Sequence, residues 1–278
     1  MKILLVITKG ELGGAQVFVR DLALGLRAQG HEVWIACGQP GFLFEEMSAS
    51  GIPFVLLNSL RRSTNPLSGL AFIREMKRFL ARETFDIVHF NSSNALLGLI
   101  GLKLAHSRAK TVFTVHGLSV LDRGYKAGLG AKTAYRCFFR VLLSWVDGLV
   151  FVSRKNLETA RSDGWAKGGE LIYNGVAAAP EDFYPATVSR AFFSRTAGVD
   201  LATAHLIGSV GRLAYPKNFE FLIAAFPKIK AANPEAKLVI IGEGPERSKY
   251  ESLIASLKLQ KDVFLLGEAR NARHYFKG

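Results

Sequence analysis

Cysteine is almost absent: Cys37 and Cys137 stand a hundred positions apart in 278 residues. Two such residues in a large, apolar-rich chain exclude a disulfide framework and read as buried thiols of a reducing compartment. No H-x-x-x-H or C-x-x-C spacing occurs, which argues against a metal site. Long apolar runs are lacking too. The nearest approach to a span of about 18 apolar residues, "FFRVLLSWVDGLVFV", is broken by Arg140 and Asp147. The N-terminal "ILLVI" is short, runs into a glycine turn and has no small-residue cleavage site, so it does not read as a signal peptide. These absences lead to the expectation of a cytoplasmic protein that at most lies on a membrane. Acidic residues are in short supply, 23 against 36 Lys and Arg, giving a net charge of +13. Most of the excess falls in residues 1–180 (+9, against +4 in 181–278). Nucleic acid, an anionic membrane surface or a phosphorylated substrate would each suit that balance.

What is present is a chain with 49% apolar and 21% charged residues, able to bury real cores. Short β-branched runs alternate with helical periodicity. "KILLVIT", "EVWIAC", "FVLL", "DIVHFNS", "KTVFTVHG", "GLVFVS" and "ELIYNGV" read as strands. Helices are expected near 15–29, 66–82, from 95, at 131–145 and from about 155. Such alternation predicts a mostly parallel sheet wrapped by helices. Residues 177–203 break the rhythm and read as a linker with a short helix. Strands "HLIGSVG", "KLVIIGEG" and "DVFLLGE" then return, with helices at 218–232 and 245–258. The fold class is therefore α/β, with two doubly wound Rossmann-like domains in tandem, 1–180 and 181–278. The second is short, with three strands, and "NARHYFKG" reads as lying inside a helix.

In an open parallel sheet, ligands bind beyond the carboxyl ends of the strands, and four groups fall there. Gly13 and Gly14, in "TKGELGGAQVF", let backbone amides approach an anion at a helix N-terminus; a purely structural glycine turn is the competing reading. With Gly10 they do not form G-x-G-x-x-G, and no acidic residue ends the next strand, which excludes the dinucleotide fingerprint. His116 ends the strand "FTVHG" and is either a cleft residue or a hydrogen-bonding histidine, whereas His89, inside an apolar strand, reads as a core histidine. Arg212 and Lys217 lie between a strand end and a helix start. They read as an anion grip in preference to two solvated cations, because bidentate guanidinium, mobile ammonium and helix dipole would act together. In "IGEGPE", Gly242 and Gly244 end a strand and Pro245 takes the first helical position. A tight turn explains most of that, and Glu243 and Glu251 read as turn and surface groups. The segment 123–146 interleaves Arg123, Lys126, Lys132, Arg136 and Arg140 with Phe138, Phe139 and Trp145. It reads as a core-facing helix with a solvated basic face, against an alternative of docking on an anionic bilayer.

Taken in order, "GGAQ", "TVHG", Val152–Ser153, "YNGV", "GRL…KN" and "GEGPE" resemble a retaining glycosyltransferase of the GT-B fold. The group resembled is family 4, which builds bacterial surface polysaccharides, lipopolysaccharide and glycolipids. The resemblance implies a nucleotide-sugar donor, a UDP- or GDP-sugar, held between two Rossmann-like domains. Arg212 and Lys217 would hold its diphosphate, with Gly13 and Gly14 approaching from the first domain. His116 would lie near the transferred sugar, and Asn174, Gly175, Gly242, Glu243 and Gly244 would border the cleft. The acceptor would be lipid-linked or a saccharide. Neither metal nor cofactor is implied, nor nucleic acid, and contact with an anionic membrane would be peripheral. The family's paired-glutamate motif would follow "HYFKG", beyond the 278 residues, so impaired transfer is expected of this chain alone. A nucleotide-sugar 2-epimerase and a non-catalytic nucleotide-binding module are the alternatives; "GRL…KN" and "YNGV" argue against the first.

Overall fold

The computed structural model describes the chain apart from residues 64, 118–128, 165, 167, 176–179, 270–271 and 277–278, and gives residues 129–132, 134 and 180 as backbone only. The chain divides into two compact units, Met1–Gly175 and Val176–Gly278.

In the first unit β1 (Lys2–Ile7), β2 (Glu32–Cys37), β3 (Phe54–Leu56), β4 (Ile87–Phe90), β5 (Lys110–Val115), β6 (Gly148–Phe151) and β7 (Glu170–Leu171) form one sheet of seven strands. The order is β3-β2-β1-β4-β5-β6-β7, with every pairing parallel. Ile3 to Ile7 are all buried, the continuous apolar run of a strand covered on both faces. Their side chains alternate. Leu4 and Val6 join the core formed with α3 (Pro66–Leu80), α4 (Gly98–Leu104) and α5 (Leu129–Leu143), while Ile3, Leu5 and Ile7 join that formed with α1 (Gly14–Ala28) and α2 (Phe42–Ala49). α3 starts where its sequence directs, with the Asn65 side chain accepting from the Leu67 amide and Pro66 opening the helix. α6 (Arg154–Ser162) follows β6.

α2 had no counterpart in the sequence reading, which passed directly from "EVWIAC" to "FVLL". Its eight residues bury Leu43 and Met47, one turn apart, and that is too few apolar positions to set a period. The cysteines also differ from the reading. Cys37 is buried, but Cys137 is exposed because α5 turns Phe139, Leu142 and Leu143 inward instead.

The second unit has β8 (His205–Val210), β9 (Ala236–Ile241) and β10 (Val263–Leu265), parallel in the order β10-β9-β8. Leu238 and Ile240 face α8 (Phe219–Ala232) and α9 (Arg247–Ser256), while Val239 and Ile241 face α7 (Ala186–Ala197) through Phe193. Residues 177–203 thus hold more than a linker: α7 runs for twelve residues and closes one face of the sheet. Residues 272–275 form a 3-10 turn in place of the expected helix. Tyr275 stacks on Phe192 of α7 at 4.2 Å, and the Tyr184 amide donates to the His274 carbonyl at 2.7 Å.

Candidate functional site

The carboxyl ends of β1, β4 and β5 gather the first group of polar side chains. The loop after β1 is tight at Gly10, where an added Cβ would stand 2.7 Å from the Gln39 carbonyl oxygen. Gly10 is therefore a packing glycine. Gly13 and Gly14 are different. A Cβ at Gly14 would meet nothing within 4 Å, and at Gly13 only the side chain of Gln16. Gly14 opens onto free space at the N-terminus of α1, whose first turn carries no acidic residue, whereas a Cβ on Gly13 would crowd the Gln16 side-chain oxygen at 2.6 Å. The Gln16 amide braces this loop by donating to the Lys9 carbonyl at 2.9 Å.

His116 follows β5, half-buried, with the edge of its ring against Phe18 of α1 (centroids 4.7 Å apart). Its Nε2 lies 3.4 Å from Oδ1 of Asn91. Burial holds its pKa down to about 4. Burial, seconded by the nearby His116, does the same for His89, whose Nε2 bonds the Thr114 hydroxyl at 2.8 Å. His89 is thus a hydrogen-bonded histidine inside the strand. The Ser92 hydroxyl meets the Thr8 hydroxyl at 2.6 Å and accepts from the Thr8 amide at 3.0 Å. Asn91, Ser92 and Thr8 were missed in the sequence, where "DIVHFNS" was read as uninterrupted strand. The rule that ligands gather beyond strand ends would have found them. Asn174 and Gly175 are exposed just after β7, and the Gly175 Cβ position is open.

In the second unit the loop after β8 is built on backbone contacts. The Gly211 amide donates to Ile241 (3.0 Å), Gly242 to Gly267 (2.7 Å), Leu213 to Glu243 (2.9 Å) and Glu246 to Leu213 (2.9 Å), each at the carbonyl. These bonds draw three loops so close that a Cβ on Gly242 would stand 2.0 Å from the Gly211 oxygen, and one on Gly244 2.4 Å from the Leu213 oxygen. Gly242, at φ +149°, and Gly244 are thus required by loop packing. Pro245 does not open the helix: α9 starts at Arg247, because Glu246 is tied back to the β8 loop. The Glu243 carboxylate pairs with Arg247, which also binds Glu251 at 2.8 Å and the Leu265 carbonyl at 3.1 Å. Arg247 thus commits both carboxylates to the surface of α9.

Arg212 and Lys217 are exposed; the Ala214 amide donates to the Arg212 carbonyl at 2.8 Å and the Lys217 amide to the Ala214 carbonyl at 3.0 Å, while neither side chain has a hydrogen-bond or ion-pair partner among the described residues. Both belong to the loop that wraps Gly211, whose Cβ position lies 3.6 Å from the Lys217 stem and 3.3 Å from the Phe219 ring. α8 begins directly afterwards. The one acidic residue in its first turn, Glu220, is bound by Lys249. Two side-chain cations without a partner among the described residues thus stand in the loop that leads into a positive helix end.

The exposed side of α5 is not simply basic. Phe138 and Val141 lie exposed one turn apart on α5, and Trp145 lies exposed just past its end, with Arg140 exposed beside them. Leu104 of α4 is exposed too, and Lys103 Nζ sits 5.3 Å over the Trp145 ring. Arg136 is turned inward to Asp163 at 3.3 Å. Arg123, Lys126 and Val176 lie outside the described residues, as does the Lys132 side chain.

Comparison with known proteins gives these sites a context. Residues 12–179 match the family described as Glycosyltransferase Family 4, and residues 200–277 that described as Glycosyl transferases group 1. The phosphatidylinositol N-acetylglucosaminyltransferase gpi3 subunit of Schizosaccharomyces pombe is 28% identical over 78% of this chain and 44% of its own length. The N-acetyl-alpha-D-glucosaminyl L-malate synthase of Bacillus anthracis is 25% identical over 94% of this chain and 66% of its own. The chain thus spans less than two thirds of these relatives. Among solved structures, Anabaena HepE in complex with UDP-glucose superposes with a TM-score of 0.71 at 19% identity, covering 98% of this chain and 70% of HepE.

Proposed function

The chain belongs to glycosyltransferase family 4, with a group 1 domain following and the GT-B class of fold, and on that premise we propose that it transfers a hexose from a nucleotide-sugar to a lipid-linked or saccharide acceptor. Transfer proceeds with retention of configuration and serves bacterial surface-glycan synthesis. The observation that carries this reading is the pair of uncommitted cations, Arg212 and Lys217, at the start of α8. As the glycosidic bond breaks, negative charge grows on the departing diphosphate. Arg, Lys and the helix N-terminus are then worth more in the transition state than in the bound substrate, the condition for lowering the barrier. This arrangement asks for no metal. Gly14, open at the start of α1, and Gly13 beside it admit ligand to backbone amides, and His116 serves the sugar end. The acceptor hydroxyl attacks on the face that the leaving group vacates.

Titration calorimetry of the full chain with UDP, GDP, ADP and the free nucleosides tests the assignment. Hydrogen bonds to ionised groups are worth about 1.5–3 kcal/mol, so Arg212→Ala and Lys217→Ala should each weaken nucleoside-diphosphate binding about tenfold or more and leave nucleoside binding unchanged. Equal losses for both ligands would remove the clamp. Diphosphate binding with no hydrolysis or transfer of any donor would favour a non-catalytic module.

The surface on α4 and α5 favours the lipid-linked acceptor. The fission-yeast relative is named for phosphatidylinositol and the Bacillus one for malate, so relatives differ in acceptor class. Exposed Phe138, Val141, Trp145 and Leu104 beside Arg140 and Lys103 match an anionic bilayer interface, aromatic rings entering the headgroup zone and cations meeting lipid phosphate. No described helix is long and apolar enough to cross a membrane, and the proposed location is peripheral, on the cytoplasmic face. Binding to phosphatidylglycerol vesicles should exceed that to phosphatidylcholine, weaken at high salt, and fall in Arg140→Gln and in Trp145→Ser. Indifference to lipid charge would refute it.

A further inference from the structure

Asn91 is 2% exposed, and its main-chain amide is fixed to the end of β1 by donating to the Val6 carbonyl at 2.8 Å. Its side-chain nitrogen donates to the main-chain carbonyl of His89 at 3.1 Å. A carbonyl only accepts, so the nitrogen must face it, and Oδ1 is the atom turned to His116 Nε2 at 3.4 Å. That oxygen likewise only accepts. We propose that Asn91 is the positioning residue of His116: it fixes the imidazole proton on Nε2 and leaves Nδ1 a pure acceptor, suited to a substrate hydroxyl and not to a phosphate.

The 3.4 Å separation is long for a hydrogen bond, so the effect lies in orientation more than in strength. Two further contacts support it. Phe18 of α1 meets the imidazole edge-on at 68°, limiting its tilt. His89, the titratable group facing His116, is engaged separately with Thr114 and is itself held neutral. Burial keeps His116 uncharged near neutral pH. A neutral imidazole whose Nδ1 only accepts cannot neutralise a diphosphate; that charge falls to Arg212 and Lys217. It can accept from a hydroxyl, and the choice of sugar or acceptor hydroxyl rests on the glycosyl-transfer reading above.

The test is nitrogen-15 NMR of the full chain labelled at histidine, with His116→Gln used for assignment. Wild type should show His116 neutral, protonated on Nε2, with that proton slow to exchange. Asn91→Ala should lose the slow proton. Asn91→Asp, the same size, should keep it and raise the His116 pKa by at least about one unit, since a carboxylate partner favours the imidazolium. Thr114→Val should move His89 signals only, and tryptophan fluorescence reports whether the first unit stays folded, as Trp34, Trp145 and Trp165 all lie within it. A wild-type proton on Nδ1, or an unmoved His116 titration in Asn91→Asp, would overturn the proposal. UDP added to the same samples separates the two claims: failure of wild type to bind UDP would undo the donor reading while leaving the tautomer result standing.

Discussion

Gly242→Ala is the sharpest perturbation the second unit offers. An alanine at φ +149° costs about 1–3 kcal/mol in backbone strain. Its Cβ would also stand 2.0 Å from the Gly211 oxygen, a backbone atom that no rotamer change can move aside. Relief requires the β8 and β9 loops to part, loosening the Gly211–Ile241 and Gly242–Gly267 hydrogen bonds, each worth about 1 kcal/mol. The total, about 3–5 kcal/mol, is a large share of the ~5–15 kcal/mol that stabilises a domain of this size. It corresponds to at least about a hundredfold faster amide exchange through opening of β8–β10. Gly208→Ala, on the neighbouring strand β8, is the control, since its Cβ would meet Val239 at an ordinary 3.9 Å and should change stability by at most about 0.5 kcal/mol. Hydrogen exchange with mass spectrometry reads the second unit, and tryptophan fluorescence, confined to the first, should be unchanged in both variants. Gly242→Ala should also weaken UDP binding, because the displaced loop carries Arg212. Equal protection losses in the two variants would refute the claim that close loop packing demands glycine at 242.

Phe193→Ala should destabilise the second unit by about 3–5 kcal/mol in the same exchange experiment, because α7 covers the β9 face through this ring; a mere linker would show almost no effect. Thiol titration at pH 8 should find one fast group, Cys137, removed by Cys137→Ser. Cys37, buried with its thiol pushed up to about 11, should react only on unfolding. The Asp147 carboxyl is held at about 2, below its ordinary 3.8, chiefly by Lys110 and then by the Thr111 amide. A depressed carboxylate contributes stability above the unfolded pKa and loses it as pH falls from about 4 towards 2. Because the side chain is partly exposed, the contribution is about 1 kcal/mol or less, read as the difference in acid slope between wild type and Asp147→Asn in urea unfolding.

The sequence alone determined most of the elements, because each carries its own period. "EVWIAC" is β2 residue for residue, and the strand read in "KILLVIT" is β1 but for its last residue. The place of Arg212 and Lys217 between a strand and a helix was also legible, since strand end, glycine and helix start are consecutive in the chain. α2 was not, because two buried residues in eight set no period, nor was the packed role of α7. The glycines divided only in three dimensions. Gly10, Gly242 and Gly244 are held against neighbouring backbone, and Gly14 opens onto free space, yet all four look alike in a sequence. Asn91 and His116 meet because β4 and β5 lie side by side, and Thr8 reaches Ser92 across 84 positions because β1 pairs with β4. Local hydrophobic patterning encodes what each segment becomes. Which strand ends stand together depends on pairings between distant segments, and no short stretch of sequence contains those.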